Sequence, residues 1–306
     1  MSAERRVEVT SSGWLFDPER LFWIVGQINK ERPARAQVAL ELYPTIHNPF
    51  WQRNQTDSRV SLDRIKRWQN EHGPVPIERI HLPFHYDILS ALQRFFIHSV
   101  FKEPGTLRNR AIAMGAAWMT WVASNEFAQN LAGELSGLQG SRVGLSAHVY
   151  LVEKAGPKGI KKLQGRADYV LVENDLDYPR SNPEQLMAER DPQRAIRAVE
   201  SYGLEGIILG VDHDFLNKLD PVETFEQNLD GLRRHLKVTH LAGSEGFRGK
   251  DLLKDPEFWR VVDYISKKRD FDSVKFCLDL NPIEMQGLTN AEQLDYISAL
   301  VRELEK

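Results

Sequence analysis

The sequence predicts an α/β protein folded as a (β/α)8 barrel, the TIM barrel. Eight short apolar segments alternate with helical segments along the 306 residues. Most of the apolar segments are near-continuous, which is typical of parallel strands that are buried on both faces. No Gly-rich GxGxxG turn follows an early strand in the sequence, and this favours the closed barrel over an open doubly wound sheet.

The predicted strands follow one another along the whole chain. They are RVEVTSS near the start, 36–44, 77–85, 142–150, 167–175, 204–212, 236–243 and 273–281. Helices begin where a capping residue precedes a proline, as in Asp17-Pro18, Asn182-Pro183, Asp220-Pro221 and Asp255-Pro256. The last helix, TNAEQLDYISALVRELEK, is amphipathic and is capped by Thr289 or Asn290.

The connection after the third strand is enlarged. The interval 86–141 holds more than one helix, including a long apolar helix near 107–135. Its aromatic residues Trp118, Trp121 and Phe127 either shield the barrel mouth or meet a partner subunit. Alternatively, the segment consists of extra helices that cover the barrel flank, which is the commoner case. No repeat or low-complexity tract marks a boundary, so 1–306 is predicted to be one domain.

The composition is that of a globular protein in a reducing compartment. A net charge of -3 disfavours a nucleic-acid partner, and the single cysteine, Cys277, excludes an internal disulfide framework. The N-terminus has no apolar signal core, and the most apolar helical stretch, 111–123, is too short to span a bilayer. We therefore expect a cytoplasmic protein without a membrane partner, and a homo-oligomer is an open alternative.

Ionisable residues gather at the predicted carboxyl ends of the strands, where TIM barrels place their active sites. They are Glu41, His81, His85, His148, Glu173, Asp212, His240 and Asp279, with His47 and His213 nearby in sequence. Carboxylates with imidazoles and no thiolate cluster suit one divalent metal ion: Mn²⁺, Zn²⁺, Co²⁺, Fe²⁺ or Mg²⁺. No HxxxH or CxxC spacing occurs, so the ligands would come from separate strands.

The order of motifs ELYP, HLPFH, AHVY, LVEND, GVDHDF, THLAGS and CLDLN resembles the xylose isomerase-like TIM-barrel superfamily. That superfamily contains sugar-phosphate isomerases and epimerases, and also the endonuclease-IV-type abasic-site nucleases of AP endonuclease family 2. The resemblance spans roughly 36–281 on a soft pattern. It implies a metal held by Glu173, Asp212, His240 and Asp279.

The resemblance also implies a reaction on a sugar, a sugar phosphate or a related polyol. Glu173 and Asp279 would exchange a proton beside a carbonyl through an enediolate, while the metal polarises that carbonyl. His81 would lie beside the carbohydrate substrate, and we place the mouth residues His148 and Glu41 with it as substrate-binding.

Three positions depart from the superfamily pattern. Phe215 stands where relatives have the histidine of Asp-x-x-His, Asp279 replaces a glutamate, and Asp251 is followed by Leu252 and Leu253 instead of x-His. The multi-metal set of the nucleases therefore looks incomplete. An isomerase or epimerase is our first hypothesis; a nuclease and a catalytically degenerate binding barrel are the alternatives.

Several of these residues also have plain structural interpretations. Asp212 and Asp214 could cap a helix, and His240 could be a hydrogen-bonded core histidine. Strand alternation would point His213 to the helix layer if Asp212 faces the barrel, unless the strand has already ended. The loop GSEGFRGK (243–250) is either a phosphate site or a solvated loop.

Overall fold

Eight parallel strands close into a barrel in this computed structural model. The structure describes residues 6–11, 17–30, 32, 37–43, 62–82, 129–174, 192–216, 219–244, 251–280, 285 and 287–306, with the side chains of residues 150, 154, 212 and 216 excepted. Each strand pairs in parallel with the next, and the eighth pairs with the first. The predicted (β/α)8 barrel is confirmed.

The strands are shorter than the apolar runs that predicted them. Their bounds are β1 Val7–Thr10, β2 Ala39–Leu42, β3 Ile77–His81, β4 Gly144–His148, β5 Val170–Glu173, β6 Gly206–Gly210, β7 Leu236–Leu241 and β8 Lys275–Leu278. Two helices begin directly after a strand, so that Tyr150 and Asp212, which we predicted to lie in strands, are helical. The first helical residues, Val149 and Val211, are buried and apolar, and they extend the strand pattern in the sequence.

The described helices surround the strands. They are α1 Pro18–Asn29, α2 Leu62–His72, α3 129–139, α4 Val149–Gln164, α5 Gln193–Tyr202, α6 Val211–Leu216, α7 Pro221–Gln227, α8 Leu229–His235, α9 Pro256–Ser266 and α10 Asn290–Leu304. The predicted caps Asp17, Asp220 and Asp255 each accept a backbone N–H of the helix they precede. Thr289 forms a capping box with Glu292.

Several predictions fall on other parts of the chain. Of the enlarged connection, α3 is described, whereas 86–128 lies outside the described residues, together with Trp118, Trp121, Phe127 and His85. His47, the Asn182-Pro183 signal and most of the 243–250 loop also lie outside them. None of the described helices is long and apolar enough to cross a membrane.

Two cores stabilise the barrel. A large one lies between strands and helices, and a small one inside the barrel contains Leu171, Ile208, Val238 and Cys277. Successive residues of a strand point to opposite sides, so the residues two positions from Cys277 and Leu171, namely Asp279 and Glu173, share the inward side at the carboxyl ends. The interior is thus apolar at mid-height on β5 to β8 and ionisable near its mouth.

Candidate active site

Five of the residues predicted at the strand ends form one buried cluster. They are Glu41, His81, His148, Glu173 and His240, and none is more than 1% exposed. Burial of so many ionisable groups is costly unless they pair or bind a metal ion. The cluster therefore identifies the carboxyl end of the barrel as the candidate active site.

Glu173 lies at the centre of the cluster. Its Oε1 is 2.7 Å from Nδ1 of His240, and its Oε2 is 2.8 Å from Nε2 of His81 and 3.8 Å from Nε2 of His148. The strand between β5 and β7 ends at Gly210, which has no side chain to separate Glu173 from His240. Burial opposes ionisation of Glu173, but the imidazoles of His240 and His148 outweigh it and hold its pKa well below the usual range.

The orientation of His81 is fixed on both sides of its ring. The Nδ1 group donates to the carbonyl of Leu82 at 2.8 Å, which directs Nε2 to Glu173. The ring also stacks on Tyr43, with 4.2 Å between ring centroids and 13° between planes. A backbone carbonyl on the outer nitrogen is the usual way to prepare the other nitrogen of a histidine as a metal ligand.

His240 lies between two carboxylates. Its Nε2 donates to Oε2 of Glu41 at 2.7 Å, while its Nδ1 faces Glu173. Burial disfavours the charged ring, but Glu173 and Glu41 outweigh it and raise the pKa of His240 well above its usual value. His240 is thus a buried, hydrogen-bonded histidine that also faces the candidate metal ligand Glu173.

A buried arginine lies beneath this pair. Arg79 of β3 donates from Nη2 to Oε2 of Glu41 at 3.0 Å and also forms an ion pair with Glu8 of β1. Burial opposes ionisation of Glu41, but Arg79 and His240 outweigh it and hold its pKa well below the usual range. Glu41, which we predicted to bind substrate, thus contacts a candidate ligand and a cation.

Asp279 lies on the β8 side of the mouth and is 6% exposed. The hydroxyl of Thr10 donates to its Oδ1 at 2.7 Å. Burial and the negative charges of Asp279, Glu173 and Glu41 together raise the pKa of Tyr43 well above its usual value. All three carboxylates therefore act on one phenol at the mouth.

The sixth strand ends earlier than the sequence suggested, and this changes the environment of His213. The Asp212 side chain, our predicted metal ligand, lies outside the described part of the structure. His213 is buried, its Nδ1 donates to the carbonyl of Asn174 at 2.7 Å, and its ring centroid is 5.4 Å from that of His148. It thus lies beside the cluster because helical geometry, not strand alternation, directs its side chain.

The positions that depart from the motif resemblance contribute to packing. Phe215 and Leu253, where that resemblance implies histidines, are partly buried against the hydrophobic core. Asp251 caps a short 3-10 turn at Leu252–Lys254. At these positions the sequence lacks the histidines that the resemblance implies. His81 and His148 nevertheless supply imidazoles elsewhere at the mouth.

Among the described residues, two groups of side chains place one potential metal-ligating atom each within 4.8 Å of one another. They are His81, His148 and Glu173, and Glu41, His240 and Cys277. The first group offers imidazole and carboxylate donors that fit Zn²⁺, Mn²⁺, Fe²⁺ or Co²⁺. The second is less suitable, since Arg79 occupies Oε2 of Glu41 and burial raises the pKa of the Cys277 thiol to about 12. The donors at Glu173 therefore fit a divalent metal.

Sequence analysis overlooked Arg79, Glu8, Tyr43, Asn174 and Thr10. Three of them had a readable signal, because polar residues recur with period two inside apolar strands: Glu8 with Thr10, and Arg79 with His81. Such a pair marks the inward side of a barrel strand. Tyr43 and Asn174, one residue beyond their strands, had no comparable signal.

A cavity of about 1290 Å³ lies at the opposite end of the barrel. Its walls are residues at the beginnings of strands and from α1 and α2, among them Trp23, Trp68, Arg142 and Lys237. The amino end of a TIM barrel serves stability rather than chemistry. The buried ionisable cluster, rather than the size of this cavity, therefore decides where the candidate active site lies.

Known structures share this architecture. A xylose isomerase domain containing protein from Salmonella typhimurium LT2 aligns over 100% of this chain and 99% of its own, with a TM-score of 0.54 and 12% identity. The chain therefore has the (β/α)8 barrel fold of that protein. The fold implied by the motif resemblance is thus confirmed.

A second solved structure adds to this fold-level similarity. The structure described as AsfvAP:AG aligns over 99% of this chain and 100% of its own, with a TM-score of 0.52 and 12% identity. No family model matches the sequence. No curated protein matches it either. At such identities the similarity establishes the fold, and the chemistry has to be argued from the site.

Proposed function

We propose that this protein is a divalent-metal-dependent isomerase or epimerase of a sugar or sugar phosphate, acting in the cytoplasm on a small-molecule carbohydrate. The observation that carries the proposal is the buried carboxylate of Glu173, whose two oxygens face His240 and His81 at the carboxyl end of the barrel. The xylose isomerase domain of one structural neighbour supports the choice of a carbohydrate.

The metal would be held by Glu173 and His240, with Asp212 and Asp279 completing the set that the motif resemblance implies. When bound, a divalent ion supplies a Lewis acid for a substrate carbonyl. Nδ1 of His240 faces Glu173 and Glu41 engages its Nε2, so an ion bound by Glu173 and His240 would replace a proton between them. Metal loading displaces protons, so it is expected to be pH-dependent.

The residues of the chain supply the proton transfer. Glu173 and Asp279 are the two carboxylates that take a proton from the carbon beside the carbonyl and return it through an enediolate. The Thr10 hydroxyl holds Asp279 in place by donating to Oδ1. His81 and His148 line the mouth beside Glu173, where they can donate to substrate oxygens.

Hydrogen exchange tests this proposal directly. Protein loaded with Mn²⁺ or Zn²⁺ is incubated in D₂O with a panel of aldoses, ketoses and their phosphates, and ¹H NMR follows the proton next to the carbonyl. We expect exchange with at least one substrate and a loss of about 100-fold or more in Glu173→Gln. Glu134→Gln, an exposed carboxylate of α3, is the matched control and should exchange normally. Equal exchange in Glu173→Gln would contradict the assignment.

A second candidate is metal-dependent cleavage of DNA at abasic sites. The observation that favours it is the group His81, His148 and Glu173, which adds two imidazoles to the ligand set implied by the motif resemblance. The deciding experiment is cleavage of a duplex with one abasic site. Cleavage abolished by His148→Gln, without sugar exchange in the wild type, would favour the nuclease.

A further inference from the structure

We propose that Arg79 is a positioning residue that acts through Glu41 to orient His240 toward Glu173. This inference rests on the proposed function, in which His240 and Glu173 hold the metal. Arg79 itself lies one layer below them inside the barrel and contacts neither reacting atoms nor metal in this account.

The guanidinium of Arg79 joins the first four strands of the barrel. It donates to Glu41 of β2 at 3.0 Å and to the Ser146 hydroxyl of β4 at 3.2 Å, and it pairs with Glu8 of β1. Its side chain is 1% exposed. A fork of donors in a rigid plane can hold these three partners at fixed relative positions.

Glu41 transmits this position to the site. The same oxygen, Oε2, accepts from Arg79 at 3.0 Å and from Nε2 of His240 at 2.7 Å. With Nε2 held there, the opposite nitrogen of the ring lies 2.7 Å from Oε1 of Glu173. A displaced Glu41 oxygen would therefore turn the ring away from Glu173.

The two carboxylates beside Arg79 differ in their other partners. Glu8 also pairs with Lys275, whose Nζ is 3.0 Å from Oε1. Glu41 has His240 as its second cationic partner. Without the Arg79 guanidinium, Glu8 would still be paired with Lys275. Glu41 would be left paired with His240, the imidazole that is proposed to bind the metal. Because of this difference, Arg79 affects the orientation of His240 as well as the stability of the buried ion pairs.

A double-mutant cycle on metal affinity tests the inference. Mn²⁺ or Zn²⁺ binding is measured by calorimetry for the wild type, Arg79→Lys, Glu41→Gln and the double variant. We expect each single change to weaken binding by about 10- to 100-fold, as loss of an outer hydrogen-bond partner does. The double variant should be no weaker than Glu41→Gln alone, because both changes remove one path.

Thr289→Ala is the control, since it destabilises the fold at the exposed cap of α10, outside the network of Arg79 and Glu41. It is expected to lower the unfolding temperature while leaving metal affinity within about 2-fold of wild type, in keeping with additivity between uncoupled sites. Wild-type affinity in folded Arg79→Lys, or equal weakening by Thr289→Ala, would overturn the inference.

A second readout uses metal-free protein and separates this inference from the proposed function. The imidazole N–H of His240 that donates to Glu41 should give a downfield, slowly exchanging ¹H–¹⁵N signal in histidine-labelled protein. We expect that signal in wild type and Thr289→Ala and its loss in Arg79→Lys. If the wild type binds no metal, the proposed metal-dependent function fails, and persistence of the signal in Arg79→Lys still overturns the positioning role.

Discussion

Glu173 keeps its charge inside the barrel because imidazoles surround its carboxylate, and His240 keeps its own because two carboxylates flank its ring. Burial of either charge alone would carry a large desolvation penalty. Removal of one partner would therefore destabilise the protein, because it leaves the other charge buried and unpaired. The chain of contacts from Arg79 through Glu41 and His240 to Glu173 is therefore one electrostatic unit.

The acid dependence of stability should reveal Glu41 in this unit. Its folded pKa lies well below 4.5, so its ionisation stabilises the fold above about pH 4.5, and that contribution is lost as pH falls through the folded value. In chelator-treated protein we expect Glu41→Gln to cost about 3–5 kcal/mol at neutral pH.

Thermal unfolding of both proteins from pH 7 to acid measures this difference. The gap between wild type and Glu41→Gln should narrow as the pH falls from about 4.5 towards the folded pKa of Glu41. Glu134→Gln, on an exposed position of α3, serves as control. A gap that is constant over the whole range would show that Glu41 contributes shape rather than charge.

At the residue scale, the sequence predicted which residues lie at the mouth of the barrel but not which of them contact one another. Glu41, His81, His148, Glu173 and His240 were found because polar residues that end apolar strands converge in a barrel. Glu41 and Arg79 lie on adjacent strands, but the other partner of Glu41, His240, lies 199 positions away in sequence. Such pairings depend on side-chain rotamers and distances, which cannot be read from a single sequence.

Helix starts at the element scale follow local chemistry. Asp255 is fully buried and accepts from the backbone N–H groups of Glu257 at 3.0 Å and Phe258 at 3.3 Å, at the start of α9. It also accepts from Ser244 at 2.7 Å, and so ties the segment after β7 to this helix. The aspartate–proline signal predicted the cap but not the second attachment.

Replacement of this cap should therefore cost more than replacement of an ordinary one. We expect Asp255→Ala to destabilise the protein by about 2–3 kcal/mol, because it loses the cap and leaves the Ser244 N–H without its acceptor. Thr289→Ala, in the exposed capping box of α10, should cost about 1 kcal/mol. Urea denaturation gives both values, and an equal cost for the two variants would be inconsistent with the attachment.

The starts of the helices that follow β4 and β6 were less predictable. Val149 and Val211 are buried at the first position of α4 and α6, so hydrophobicity continues smoothly from strand to helix. An apolar run cannot by itself locate such a junction. The early end of β6 is what brings His213 beside His148.

At the scale of the whole molecule, the eightfold alternation of strands and helices was sufficient to predict a closed barrel. Closure then brings residues from β2, β3, β4, β5 and β7 to one mouth, although they are spread over 41–240 in sequence. The architecture was readable because it depends on periodicity and strand count. The chemistry depends on which donors face a common point, and this required coordinates.

The central claim is that the cluster at Glu173 binds a divalent metal ion. Its most direct test is the metal content of protein purified without chelator or affinity-tag metal, for wild type, Glu173→Ala and the exposed control Glu134→Ala. We predict about one equivalent in the wild type and in the control, and loss of that metal in Glu173→Ala. Two or more equivalents would favour the nuclease, whereas an equal metal content in Glu173→Ala, or no metal in any of the three folded proteins, would contradict the claim.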